Sequence, residues 1–158
     1  MLFGLQVFVH NYVMDIIADG KTKMLENDVS AYLSQIDSKR RREEVPILDG
    51  LFQRATGFAP QVWSGGMIGY GRYDFTYKSG RKGFCFATGF APRPGKLSVY
   101  IMPGFARFQS VLQRLGKYGL SASCLEIEGM ADVNPLVLEE LIAAGVKELS
   151  AHWPVSAT

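Results

Sequence analysis

Histidine is almost missing from this sequence: His10 and His152 are the only two, and both stand near its ends. No internal imidazole is at hand to activate a serine or cysteine nucleophile or to ligate a metal. Cysteine is as scarce. Cys85 and Cys124 each lie in an apolar, strand-like run, and a lone pair of thiols in a chain with a full core is no disulfide framework. They read as free thiols packed like small hydrophobes, which suits a reducing, cytoplasmic compartment. An excess of one charge sign is lacking too. The 17 Lys and Arg face 15 Asp and Glu, which argues against a dedicated nucleic-acid binder with one strongly basic face. No apolar run reaches the roughly 20 residues of a membrane-spanning helix. The stretch from Met1 to Ile17 is apolar but contains His10, Asn11 and Asp15 with no Lys or Arg before them, so it fits neither a span nor a signal peptide. It is expected to be an appended tail or an amphipathic helix. Met14 and Met24 are alternative starts, the first of which would leave residues 1–13 outside the native product.

Apolar residues make up 47% of the 158, which excludes disorder as the general state and leaves enough for one good core. Residues 1–27 read as tail and linker, 28–149 as the folded domain, and 150–158 as a short tail that frays. Asn27 or Asp28 can cap a first helix in which Val29, Tyr32, Leu33 and Ile36 recur at helical spacing. A second helix is expected over Ser38–Ala55 with Val45, Leu48, Leu51, Phe52 and Ala55 inward. Pro46 should kink or restart it, and Thr56-Gly57 should close it. The period then changes. Met67–Tyr70, Tyr73–Tyr77, Phe84–Phe90 and Leu97–Met102 are short, rich in aromatic or β-branched residues and separated by glycine turns, which is strand periodicity. Residues 78–83 and 92–95 are the hairpin connections. A helical stripe of Phe105, Phe108, Leu112 and Leu115 follows, then a fifth strand over Ser123–Glu128. A last helix is capped by Asp132 or Asn134, with Pro135 in its first turn and Leu138, Leu141, Ile142 and Leu149 facing the core. The order predicts an α+β domain with a single five-stranded antiparallel sheet and flanking helices.

Several short motifs resemble one family. Ile36-Asp37, Arg40-Arg41-Arg42, Ala55-Thr56-Gly57, Pro60 and Trp63 resemble the opening of the YdhG-like domains. The run from Ile68 to Tyr73, Tyr77 to Arg81 with Gly83, Gly89 to Arg93, Tyr100 to Phe105, Leu115-Gly116-Lys117, Ser123-Cys124-Leu125 and Leu138 to Ile142 continue the likeness across roughly residues 28–149. The chain differs from the family pattern at Phe84, where an acidic residue is usual, and over Lys117–Ser123, where most of a basic run is gone. The resemblance implies a secretion-chaperone-like arrangement of one antiparallel sheet with flanking helices. Some members are described as frataxin-like intracellular iron chaperones, so iron is the metal that the resemblance implies.

The residues themselves offer one polar cluster: Arg72, Arg81, Arg93 and Lys117 with Tyr77 and Tyr100. Arginine forks suit carboxylate or phosphate groups, and the hairpin ends are expected to converge on one rim of the sheet. Gly69, Gly71, Gly80, Gly83 and Gly89 lie between strands, so they read as turns or close approaches and not as a phosphate loop before a helix. Lys39 to Arg42 precede Glu43-Glu44 and read as a solvated helix start. Of the carboxylates that iron would need, Glu126 and Glu128 share a strand face and Glu139 and Glu140 sit on the last helix, with no spacing that forces them together. The expected function is therefore that of a non-catalytic domain binding a small ligand, a metal or a protein partner. The alternative is an enzyme or enzyme accessory that uses the Arg/Tyr rim for an anionic small molecule. A homodimer through the sheet's exposed face or edge is a third expectation.

Overall fold

The computed structural model describes residues 23–26 and 28–158. The apolar stretch up to Ile17, including His10, and the alternative helix cap at Asn27 lie outside the described residues. The architecture is α+β with antiparallel sheets. Its elements are α1 (Val29–Ser34), α2 (Lys39–Thr56), β1 (Pro60–Trp63), β2 (Met67–Tyr70), β3 (Arg72–Thr76), β4 (Lys82–Cys85), β5 (Thr88–Pro92) and β6 (Leu97–Ile101). They are followed by α3 (Gln109–Leu112), β7 (Gly119–Ser121), β8 (Cys124–Ile127), α4 (Pro135–Ser150) and β9 (Val155–Ser156). Among the described residues no helix is long and apolar enough to cross a membrane.

The expected single five-stranded sheet is replaced by two sheets. Six strands in the order β1-β2-β5-β6-β8-β7 form the larger, and β4-β3-β9 form the smaller. Two local features divide them. Gly71, at a φ of 68°, breaks Met67–Thr76 into β2 and β3, and a Cβ there would press on the Phe58 ring at 2.6 Å. The run Phe84–Phe90 is likewise not one strand. The chain crosses back at Phe86-Ala87, both buried, with the Ala87 amide donating to the Gly71 carbonyl at 3.3 Å. Alternation still holds inside each piece: Tyr73 and Phe75 are buried while Asp74 and Thr76 are exposed. Periodicity locates the strands but not the sheet each joins, because the exchange occurs where alternation is interrupted by a residue or two.

One face of the six-stranded sheet carries Ile68, Tyr70, Phe90, Val99, Leu125 and Ile127 against α2 and α4. Tyr70 stacks on Phe52 with ring centroids 4.8 Å apart and donates its hydroxyl to Asp49 at 2.6 Å. The opposite face is partly covered by the small sheet, whose Tyr73, Phe75 and Cys85 join Trp63, Met67 and Phe86 in a second core. The segment after Ser150 does not fray within this arrangement. Val155 and Ser156 pair with Tyr73 and Arg72, and Trp153 meets the Phe75 ring edge-on at 6.4 Å.

Helix ends follow side-chain chemistry. Asp28 caps α1 by accepting from the Ser30 amide at 3.1 Å, Ser38 caps α2 and Asn134 caps α4 with Pro135 in its first turn. Gly57, at a φ of 73°, closes α2. The restart expected at Pro46 does not occur: α2 runs through it. Pro46 and Arg42 are both exposed, so the carbonyl that loses its i+4 donor lies on the solvated side. The stripe from Phe105 to Leu115 is buried as expected, but only Gln109–Leu112 is helical.

The basic run before Glu43-Glu44 is not wholly a solvated helix start. Arg41 is 2% exposed. Its Nη1 donates to Glu44 Oε2 at 2.7 Å, its Nε to the Arg93 carbonyl at 2.9 Å and its Nη2 to the Glu128 carbonyl at 2.8 Å. Arg40, more exposed, reaches the other oxygen of Glu44 at 2.7 Å.

Two stability measurements follow from these contacts. Arg41→Ala should lower the unfolding free energy in urea by about 3–5 kcal/mol, because it leaves a buried carboxylate and two carbonyls short of a donor; adding Glu44→Gln should return part of that loss. A Cβ on Gly69 would lie 2.5 Å from Phe86 Cβ and 2.6 Å from Trp63 Nε1. Gly69→Ala should therefore cost about 1–3 kcal/mol of overpacking. Gly95→Ala, with nothing within 4 Å, should be neutral within about 0.5 kcal/mol.

Candidate functional site

The second face of the six-stranded sheet is thinned by small residues. Gly69, Gly89 and Ala91 follow one another across β2 and β5, and over Gly69 lie the buried rings of Trp63 and Phe86, T-shaped at 5.5 Å. The indole Nε1 of Trp63 is buried with no nitrogen or oxygen partner among the described residues. Phe86 in turn meets Tyr100 at 5.6 Å. Beyond Tyr100 the same face turns polar. By register, Ser98, Tyr100, Cys124 and Glu126 stand together on β6 and β8, and Ser121 of β7 lies opposite Cys124.

Arg93 and Lys96 enter this area from the turn between β5 and β6. The turn is fixed from both sides: Arg93 donates its amide to the Lys96 carbonyl at 2.9 Å, and its own carbonyl is held by Arg41. The Arg93 guanidinium is close enough to the Tyr100 hydroxyl to act on its ionisation. A Cβ on Gly66 would stand 3.5 Å from both Arg93 Nη1 and the Tyr32 hydroxyl, so those two groups flank one spot. Tyr32, on α1, donates to the Gly66 carbonyl at 2.8 Å. Lys96 is neutralised by Glu126. Arg93, among the described residues, is in no ion pair.

Local electrostatics follow from burial and from these cations. Burial raises the Tyr32 hydroxyl above the ordinary phenol range, and Arg93 opposes the shift. Burial raises Tyr100 as well; the Cys124 sulfur adds to that and Arg93 works against it. The Lys96 ammonium is held up chiefly by its hydrogen bond to Glu126. Burial pushes the Cys124 thiol up, while hydrogen bonds with Ser98 and Ser121 and the charge of Lys96 pull it back in part. A thiol so placed stays protonated near neutral pH and is a poor nucleophile. His152 lies elsewhere, 3.4 Å from Glu148 at the end of α4.

The residues that the sequence suggested for one rim are distributed over four places. Arg93 and Tyr100 come together as described. Arg72 pairs with Asp74 at 2.7 Å and covers the Phe84 ring at 3.9 Å. Arg81 lies over the Tyr77 ring at 4.7 Å at the tip of the β3–β4 hairpin. Lys117 precedes the edge strand β7, its amide bonded to the Asp132 carbonyl at 2.9 Å. Tyr32 and Lys96 were not foreseen as members, and neither was Arg41 as the anchor. An apolar spacing hides Tyr32 in a helix stripe, and Arg41 is masked by its exposed basic neighbours. The carboxylates are divided: Glu126 serves Lys96, while Glu139 and Glu140 pair with Arg54 and Arg114 on the helical side. Among the described residues no group of three or more His, Cys, Asp or Glu is placed to hold a metal ion.

Comparison of the chain with protein-family models, with curated proteins and with solved structures gives no match.

The two thiols should differ in reactivity. Cys85 is fully buried and pushed up to about 12 by desolvation, whereas Cys124 is half-buried. Native protein at pH 8 should therefore lose about one thiol per chain to iodoacetamide, at Cys124, more slowly than an exposed cysteine does and with a rate that climbs above pH 9. Both should react in denaturant; mass spectrometry of the peptides reads the order.

Proposed function

We propose that this chain is a non-catalytic YdhG-like binding domain that holds a small anion, a carboxylate or a phosphate group, on Arg93 between Tyr32 and Tyr100. The observation that carries the reading is an arginine without a carboxylate partner whose main chain is clamped by a buried ion pair and whose head is flanked by two partly buried phenols. A guanidinium fork held in that way matches the planar oxygens of a carboxylate or phosphate. Tyr100 supplies a neutral donor, while the Tyr32 proton is engaged by the Gly66 carbonyl and its ring walls the spot.

The family resemblance supports the same reading through the positions of its motifs. Gly57 and Gly71 stand at positive φ, and Gly69 and Gly89 lie where a Cβ would meet neighbouring atoms. An antiparallel sheet with two helices on one face is the part of the implied arrangement that this chain shares, and the second, three-stranded sheet is a departure from it. The iron-handling version of the family finds no donor group of three among the described residues, so the ligand we favour is an anion and not a metal. The enzyme reading has only Cys124 as a nucleophile, and burial works against its ionisation. Two unpaired thiols suit a reducing compartment, and a cytoplasmic location is part of the proposal.

Titration with inorganic phosphate and, separately, with succinate should shift the amide resonances of Arg93, Tyr100 and Cys124, and the stronger binder names the anion class. Arg93→Ala should weaken the better ligand by about 2 kcal/mol, the worth of a charge-assisted hydrogen bond, or about thirtyfold. Arg93→Lys should keep part of it. Equal affinity in wild type and Arg93→Ala would sink the proposal.

A further inference from the structure

The β3–β4 hairpin gathers charge that the rest of the chain neutralises. It carries Arg72, Lys78, Arg81 and Lys82 against Asp74 alone. Several surface cations elsewhere come with a carboxylate: Lys39 with Glu43, Arg54 with Glu139, Arg107 with Glu148 and Arg114 with Glu140. Arg72 has Asp74, but among the described residues no carboxylate pairs with Lys78, Arg81 or Lys82. Residues 78–82 are exposed. Stacking on Tyr77 holds the Arg81 guanidinium in place and leaves its N–H edge for an incoming acceptor.

Beside this charge runs an open strand edge. The small sheet is ordered β4-β3-β9, so β4 has a neighbour on one side only. The Tyr77 amide donates to the Arg81 carbonyl at 2.8 Å, which makes theirs a hydrogen-bonded pair. Bonded and non-bonded pairs alternate along an antiparallel ladder. Phe75 with Gly83 and Tyr73 with Cys85 are then bonded, and Thr76 with Lys82 and Asp74 with Phe84 are not. The N–H and C=O groups of Lys82 and Phe84 therefore point away from β3, toward the open side, and the side chains of both are exposed.

We propose that β4 takes up an extended, acidic segment of a partner protein as an added strand. Lys82 and Phe84 supply the main-chain ladder, and Lys78, Arg81 and Lys82 select the partner's carboxylates. A second copy of this chain is disfavoured, because pairing β4 with itself sets like charges against each other, the usual role of lysine on an edge strand. A nucleic acid would use the cations and leave the free main-chain groups unsatisfied, so the two features together select a peptide. This surface is separate from the anion site at Arg93.

The test uses a fluorescent peptide alternating glutamate with valine, the same peptide with lysine for glutamate, and a single-stranded oligonucleotide of matched charge. Fluorescence polarisation gives affinity, and the amide shifts of Lys82 and Phe84 give place. The acidic peptide should bind and shift those amides, the basic one should not bind, and Arg93→Ala should leave both results unchanged. Arg81→Glu with Lys82→Glu should weaken binding about tenfold, since exposed charge pairs are lost. Phe84→Pro removes an open-side N–H without breaking a β3 bond and should abolish binding, whereas Phe84→Ala, which removes only the ring, should retain it. The proposal is overturned if the acidic peptide does not bind, if Phe84→Pro matches Phe84→Ala in affinity, if the charge reversal has no effect, or if the oligonucleotide binds more tightly than the peptide.

Discussion

A guanidinium withdrawn from water is the interaction on which the arrangement of this domain depends. Arg41 is buried on α2 and donates to Glu44, to the carbonyl of Arg93 and to the carbonyl of Glu128. Such a cation is costly to bury unless its donors are met. Meeting them requires α2, the β5–β6 turn and the end of β8 to be in one place. Arg40, beside it, lies against Gly129, where a Cβ would displace its guanidinium. Helix and sheet are thus joined by directional bonds at this end and by the Tyr70–Asp49 hydrogen bond, while the rest of their contact is apolar packing that specifies distance better than register.

The glycines of β2 and β5 decide what the other face of the sheet becomes. With no Cβ on Gly69 to keep them away, Trp63 and Phe86 lie close against the backbone, and at Gly89 the main chain of β2 comes too near for a Cβ. From there aromatic contacts run outward in both directions. Phe86 meets Tyr100, on which the Arg93 charge acts; Trp63 meets Phe84, whose ring Arg72 covers. Two of the four cations that the sequence suggested for a common rim, Arg93 and Arg72, stand at opposite ends of this row.

Much of the framework was legible because it rests on local chemistry. Asp28 and Asn134, each one of two caps that the sequence offered, cap helices, Gly57 ends one, and alternation of Tyr73, Asp74, Phe75 and Thr76 marks a strand. What was not legible is what depends on distant partners. Pro60–Trp63, Gly119–Ser121 and Val155–Ser156 are strands of a few residues that exist because an edge receives them. The burial of Arg41 needs carbonyls 52 and 87 residues away. Of the candidate site, Arg93 and Tyr100 were within reach because hairpin geometry brings a turn and its following strand together. Tyr32, from a helix far earlier in the chain, was not.

The pairing of β9 with β3 ties the order of synthesis to the order of folding. Tyr73 and Val155 are partners, yet every other strand is made between them or shortly before. While the chain emerges from the ribosome, the larger sheet can assemble and α4 can dock, but β3 keeps one side vacant until residues 155 and 156 have been made. Closing so long a loop costs little more than closing a moderate one, since the entropy grows only logarithmically with length, so the delay is one of timing more than of energy. A nascent domain therefore passes through a stage in which the small sheet offers two open edges instead of one, and only the last strand to arrive ends that exposure.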